Sequence, residues 1–308
     1  MAEPAKKPSL PGESTPAELR FGGSWRMVIP FAILPLVIVS ASIGVFLLFG
    51  KLAQNQLGAN DYLERLRSTS SHKRWQAAYE LSGYLARKDV GPERVKFERE
   101  VMSIFRSSKP EETLLRKYLL VAMAQVGSEN SVPSLTDVVQ NNSDPEMKIY
   151  AMLALARIGS PGAEPFVAEQ LANADAGVRK TAAFAYGFVA KPREADRLIE
   201  LLNDTVTDVR WNAALGLAQM GNPAGAKELL GLLDEPALRS ATQNLRDVER
   251  AEIMLSAMNA VGKLKLVSAR ESISRIARTA VDPRLRTAAS NVEQILSGDL
   301  LTKARHSE

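Results

Sequence analysis

The chain has 308 residues, of which 45% are hydrophobic, 24% charged and 6% aromatic, with a formal net charge of +4 and no cysteine. That composition suits a folded, alanine- and leucine-rich helical protein long enough to bury a sizeable core, and so small a basic excess gives no electrostatic footprint for nucleic acid. Disulfides, thiolate catalysis and iron–sulfur ligation are excluded for want of cysteine, and His72 and His306 leave no material for a histidine metal site or a histidine-based triad.

Residues 1–24 carry Pro4, Pro8, Pro11 and Pro16 with Gly12, Gly22 and Gly23, a mixture that cannot build a periodic apolar face and reads as a disordered leader. Trp25-Arg26 then opens an uncharged run of 24 residues from Met27 to Gly50. As a helix it would be about 36 Å long at about 1.5 Å per residue, enough for a hydrocarbon core of about 30 Å. Residues 25–50 are therefore expected to form a single transmembrane helix, with Trp25 at the interface and Pro30 and Pro35 in its first half. A cleaved leader with Val39-Ser40-Ala41 as its small-residue site is the competing reading. The apolar run continues past that site through Ile43 and Val45 to Phe49, which favours a retained anchor. Lys6, Lys7, Arg20 and Arg26 precede the span and Lys51, Arg65 and Arg67 follow it; this slight excess favours a cytoplasmic N-terminus and a repeat domain outside the cytoplasm.

Beyond a linker at 51–59, two ladders run in one register. Gly127, Gly159, Ala190 and Gly221 are spaced by 32, 31 and 31 residues, each with a proline shortly after it, and Lys148, Arg179 and Arg210 keep the 31-residue beat. Fixed periods of this length mark a solenoid. In the unit from about 192 to 221, Leu198, Ile199, Leu201 and Leu202 give a first helix an apolar stripe and Asn203-Asp204-Thr205 breaks it. A second helix starts at Asp208, with Val209, Ala213, Ala214, Leu217 and Ala218 at helical spacing, and ends at Gly221 with Pro223. Neither helix can bury its stripe alone, so each pair must stack on the next.

The second helices share Asp, then Val-Arg, then a pair of alanines: Asp175, Val178-Arg179 and Ala182-Ala183; Asp208, Val209-Arg210 and Ala213-Ala214; more loosely Asp144, Met147-Lys148 and Ala151. This box resembles the HEAT repeat, in the short variety named after phycobilisome lyases. Outlying copies are Arg74-Trp75-Gln76-Ala77-Ala78 and Asp282-Pro283-Arg284 with Ala288-Ala289, and weaker ones begin near Arg116 and Arg250. With second helices starting at 74, 116, 148, 179, 210, 250 and 284, residues 60–298 are expected to form a right-handed all-α solenoid of about seven helix pairs, followed by a tail at 299–308. Phycobilisome lyases attach bilins to partner cysteines, but the resemblance is confined to the scaffold unit and does not carry that activity over.

The repeated Asp and Arg or Lys have two readings. They form a structural ladder, with aspartates at helix N-termini and arginines paired between units, or the row Arg74, Lys148, Arg179, Arg210 and Arg284 lines a surface for an acidic partner. Trp75 and Trp211 hold equivalent places and are either wedges between units or binding anchors. Extra residues interrupt the beat between 87 and 110 and between 235 and 247; the second insertion carries Arg239 and Arg246 and is either a lengthened binding rim or a drifted repeat. The candidate partner-binding residues are accordingly Arg179, Arg210, Trp211, Arg239 and Arg246.

Neither a phosphate-binding glycine loop nor a His-Glu-x-x-His sequence is present, so no catalytic constellation, cofactor or small-molecule substrate is expected. The functional expectation is a membrane-anchored, non-enzymatic scaffold that binds a partner protein. The alternative is an accessory subunit of a membrane complex such as an ABC-type transporter or secretion assembly, packed through its own span. Because the chain lacks cysteine, Ser70→Cys gives one reactive thiol. An impermeant thiol reagent should label it in intact cells; protection until lysis would place the repeats in the cytoplasm.

Overall fold

A computed structural model describes residues 59–87 and 91–305. The leader, the expected membrane span and nearly all of the linker lie outside the described residues. Among the described residues there is no strand, and no helix is long and apolar enough to cross a membrane.

The helices of the described residues fall into seven units. The first pairs α1 (Ala59–Leu66) with α2 (Ser71–Arg87), the second α3 (Arg94–Ser107) with α4 (Thr113–Val126), and the third α5 (Val132–Asn141) with α6 (Pro145–Ile158). The fourth pairs α7 (Glu164–Gln170) with α8 (Ala176–Val189), and the fifth α9 (Asp196–Leu201) with α10 (Thr207–Gln219). The sixth holds α11 (Ala226–Leu232), α12 (Glu235–Ala241) and α13 (Asp247–Leu264), and the seventh α14 (Arg270–Thr279) with α15 (Pro283–Arg305). The insertion at 235–247 thus supplies an extra helix, α12, and the last helix runs past residue 298.

The punctuation seen in the sequence has local causes. Gly127 and Gly159 end α4 and α6 in the left-handed region, at φ 63° and 72°, and their N–H groups close onto the Met123 and Leu155 carbonyls. A side chain with Cβ is strained there. Ala190 can stand in the same ladder because its backbone is extended, at φ −89°. Pro161, Pro192 and Pro223 open one-turn 3-10 helices that lead into the next unit, where the missing N–H costs nothing. Asp144 and Asp175 cap α6 and α8 through the Glu146 and Val178 N–H groups, each at 2.9 Å. Asp208 does not cap α10; Val206 holds the cap position, Asp208 lies in the first turn, and Asp204 accepts the Val206 N–H at 2.8 Å.

Each first helix packs on its own second helix, and the second helices stack in order, α2 on α4, α4 on α6, α6 on α8, α8 on α10, α10 on α13 and α13 on α15. The core is two clusters that meet in α10: Ala213 and Leu217 face the N-terminal cluster, Ala214 and Ala218 the C-terminal one. The α8/α10 contact is the most extensive and brings backbone onto backbone. A Cβ on Gly187 would lie 2.5 Å from the Gly216 Cα and carbonyl oxygen, and one on Gly216 would lie 2.5 Å from the Ala183 carbonyl oxygen. A methyl group at this junction has no room without separating the helices.

Gly216→Ala should therefore lower unfolding free energy by about 1–3 kcal/mol through overpacking. Gly231→Ala in α11 has open space around the new Cβ and should raise it by up to about 1 kcal/mol through helix propensity. Urea unfolding of the two variants checks both signs.

Candidate functional site

The ladder cations occupy the fifth position counted from each N-cap, and six of the seven are arginines that turn back onto the preceding helix end. Arg179 Nη1 donates to the Asn173 and Ala174 carbonyls at 2.9 and 3.0 Å, Arg210 Nη1 to the Asp204 carbonyl at 2.9 Å, and Arg286 Nη1 to the Ala280 and Val281 carbonyls at 2.7 and 3.0 Å. Arg74 reaches the Leu66 carbonyl at 3.1 Å, Arg116 those of Phe105 and Ser108 at 3.3 Å, and Arg250 that of Thr242 at 2.9 Å and that of Leu245. Each guanidinium thus ties the turn that leads into its own helix, and Arg74 and Arg116 reach carbonyls of the last helical turn, Leu66 and Phe105, at the negative end of a helix dipole. Lys148 has no planar fork and reaches only the Gln170 side chain, at 3.5 Å. In the last unit the clamp is Arg286, not Arg284, because Asp282 holds the cap position four residues earlier.

The same arginines also link units. Arg179 holds Asp204 of the next unit in a two-point pair at 2.9 and 3.2 Å, and Arg74 pairs with Glu112. The Arg179 fork, with help from the Val206 N–H and Arg210, keeps the Asp204 carboxyl below the usual carboxylate value against the opposing effect of burial. Around Arg116, burial lowers the guanidinium below its ordinary value while Asp137 and Glu112 oppose the shift; the group lies 4.2 Å over the Phe105 ring. Arg179 and Arg210 are both partly buried and spend their donors inside the array.

Trp75 and Trp211 are partly buried, packed against the N-terminal and C-terminal clusters respectively. Arg239 and Arg246 are exposed: Arg239 pairs with Glu235 and Asp247 at 3.3 and 3.2 Å, and Arg246 with Glu249 at 3.0 Å. Arg239 borders a 470 Å³ groove between the inserted segment and the last unit, whose apolar lining includes Val248, Met254 and Val281. The five candidate residues therefore do not converge on one site. Arg179 and Arg210 lie at the turns, Trp211 on α10, and Arg239 and Arg246 on the inserted segment.

A different set does line up. Five positions after each ladder cation, on five consecutive second helices, stand Tyr79, Val121, Leu153, Phe184 and Leu215. Each faces solvent at least partly; Tyr79 and Leu153 are 56% and 42% exposed. Leu114, 50% exposed, with Tyr118, Ile149 and Phe188, widens the row. The rings associate, Tyr79 with Tyr118 at 5.1 Å and Phe184 with Phe188 at 4.9 Å between centroids. The same position on α13 is the half-buried Leu255, and beside Leu215 lies a 240 Å³ groove lined by Phe184, Phe188, Leu215, Gln219, Asn259 and Lys263 among others. The sequence carried a signal for this row, an apolar residue repeating in step with the cations, but helical periodicity alone does not distinguish an outward apolar position from a core one.

A family model described as HEAT repeats matches residues 101–187 and 164–246. The middle of the chain is made of HEAT repeats. Among solved structures, the complex of CpcE and CpcF of phycocyanin lyase from Nostoc sp. PCC7120 is similar with a TM-score of 0.56 at 15% identity, covering 79% of this chain and 95% of that one. The HEAT-like repeats protein from the archaeon Thermococcus onnurineus NA1 aligns at a TM-score of 0.38 and 13% identity, over 79% of this chain and 98% of that one. At 15% identity the likeness to the phycocyanin lyase complex is one of fold alone. No curated protein matches the chain in sequence. HEAT repeats are scaffolds that generally bind proteins.

Arg179→Ala should cost about 1.5–3 kcal/mol, the range for hydrogen bonds to charged groups, and a double-mutant cycle with Asp204→Asn should give a coupling of about 0.5–3 kcal/mol. Because the folded pKa of Asp204 is depressed, its contribution is complete above the unfolded value of about 3.9 and is lost as pH falls through the folded value. Asp204→Asn should flatten the acid limb of stability below about pH 4, measured by urea unfolding at a series of pH values.

Proposed function

We propose that this protein is a membrane-anchored HEAT-repeat scaffold that holds a partner protein against the outward face of its second helices, without catalysing a reaction or carrying a cofactor. The observation that supports the docking face is the apolar row from Tyr79 to Leu215. An array stable on its own gains nothing from exposing Tyr79 and Leu153 at equivalent positions, whereas a partner that covers them recovers about 25 cal/mol per Å² of apolar surface. The uncharged run from Met27 to Gly50 supports anchoring, and the slight excess of basic residues before it supports repeats outside the cytoplasm. Arg239 and Arg246, on the inserted segment, are assigned to peripheral contacts, and Trp211, one turn before Leu215 on α10, is assigned to the edge of the row. Arg179 and Arg210 contribute indirectly, by setting the angle of the helices that carry the row.

A photo-crosslinking residue at position 153, in the full-length chain in native membranes, should capture a discrete protein. The same residue at Glu169, exposed on first helix α7, should capture none. Equal capture at both positions, or at neither, would overturn the docking face. An accessory subunit held through its span is the second reading, and it is favoured if capture at position 153 disappears when residues 25–50 are exchanged for an unrelated membrane helix.

A further inference from the structure

Resting on that scaffold reading, we infer that the occupant of the row is an amphipathic α-helix laid across the second helices, with an acidic flank toward their C-terminal ends. Neighbouring helices pack about 8–10 Å apart, so the five row residues are spaced by about that distance. An α-helix advances about 10.5 Å in seven residues at about 1.5 Å per residue and can place one apolar heptad position over each second helix. An extended strand repeats its face every two residues, about 6.6–6.8 Å, and loses register after the first step. A polyproline helix, at about 9.3 Å per turn of three residues, matches the spacing but offers one narrow ridge. Three of the helices carry a second outward apolar side chain, Tyr118 and Ile149 about one turn before the main line and Phe188 one turn after it, so the apolar surface is broader than one ridge, and a helix with an apolar stripe covers more of it.

Charge selects the flank. Toward the N-terminal ends of the second helices, the Lys117–Glu146 and Lys180–Asp208 pairs, the latter at 3.6 Å, neutralise one another across adjacent units. Toward the C-terminal ends stand Arg87, Arg157, Lys191 and Lys263, all exposed, against Glu129 and Glu194, whose carboxylate accepts the Lys191 backbone N–H at 2.8 Å and pairs with Arg193. Lys263 donates to the Gln219 carbonyl and side-chain oxygens at 2.8 and 2.6 Å; none of these four cations has a carboxylate partner among the described residues. A helix carrying Glu or Asp on that side meets a positive rim, and one carrying Lys is repelled by it.

The test uses the full-length chain in detergent, with binding to empty micelles subtracted, and three synthetic peptides followed by fluorescence anisotropy. The first is a helix of about 28 residues, long enough to cover four steps, with leucine at the heptad positions and glutamate on one flank. The second replaces that glutamate by lysine, and the third is a proline-rich peptide with an apolar residue at every third position. The acidic helix should bind at least about tenfold tighter than either. Leu153→Asp should weaken it by about tenfold or more, and Arg157→Glu with Lys263→Glu should invert the preference between the two helices. Circular dichroism confirms that each variant is folded; if Leu153→Asp is not, Leu153→Gln carries the test. Equal binding of the two helices, tighter binding of the proline-rich peptide, or indifference to both variant sets would overturn the helix inference. A protein captured at position 153 alongside any of those results would leave the scaffold reading standing, which separates the two failures.

Discussion

The close approach of α8 and α10 is the constraint on which the rest of the array depends. Gly187 and Gly216 leave no side chain between the two backbones, and Ala183 completes the contact. Such contacts hold neighbouring second helices at a fixed spacing, so that one stripe packs on the previous unit and the next on the following one. Ala213 and Ala214, adjacent in sequence, face opposite clusters for this reason. The alanine pairs of the repeat box are thus a geometrical requirement: larger residues would widen the step and break the line of side chains carried on the outer face.

Spacing alone does not fix which helix sits where, and two sets of polar contacts supply the register. Within a unit, the arginine fork gathers carbonyls of the turn that joins the first helix to its own, which sets the bend between them. Between units, the outer junctions alternate in character. Trp75 stacks with Tyr118 at 6.4 Å across the first junction, Lys117 pairs with Glu146 across the second, Ile149 lies against Gly177 across the third, and Lys180 pairs with Asp208 across the fourth. A slip by one unit would set a lysine against an apolar neighbour and leave a carboxylate unpaired. Exposed pairs of this kind contribute only about 0–1 kcal/mol each, so their value lies in excluding wrong pairings.

Much of this was legible in the sequence. Glycine and proline punctuation gave the unit, because left-handed caps and proline-led turns admit few residues, and the Val-Arg-x-x-Ala-Ala box marked the second helices. The register failed where composition gave equivalent options: Asp282-Pro283-Arg284-Leu285-Arg286 holds two arginines, and only the carbonyls they reach single out Arg286. Asp208 matched the box in composition while Asp204 performed the turn's hydrogen bonding. The apolar row is not legible as an outward one in the sequence, because Leu153 or Phe184 has the composition and spacing of any core residue; its exposure follows from which neighbours the stacking leaves uncovered. Charged and tryptophan positions are the visible binding candidates in the sequence, and two of those, Arg179 and Arg210, are engaged in holding the turns together.

If backbone-close stacking of the second helices governs the array, local stability must follow the closeness of each junction. Native-state hydrogen exchange on the full-length chain reads this helix by helix. The account predicts the slowest exchange in α8 and α10, with protection falling toward α1 and α15 and a step down at α12 beside the C-terminal cluster. Protection uniform along the array, or strongest in α12 and α13, would contradict it.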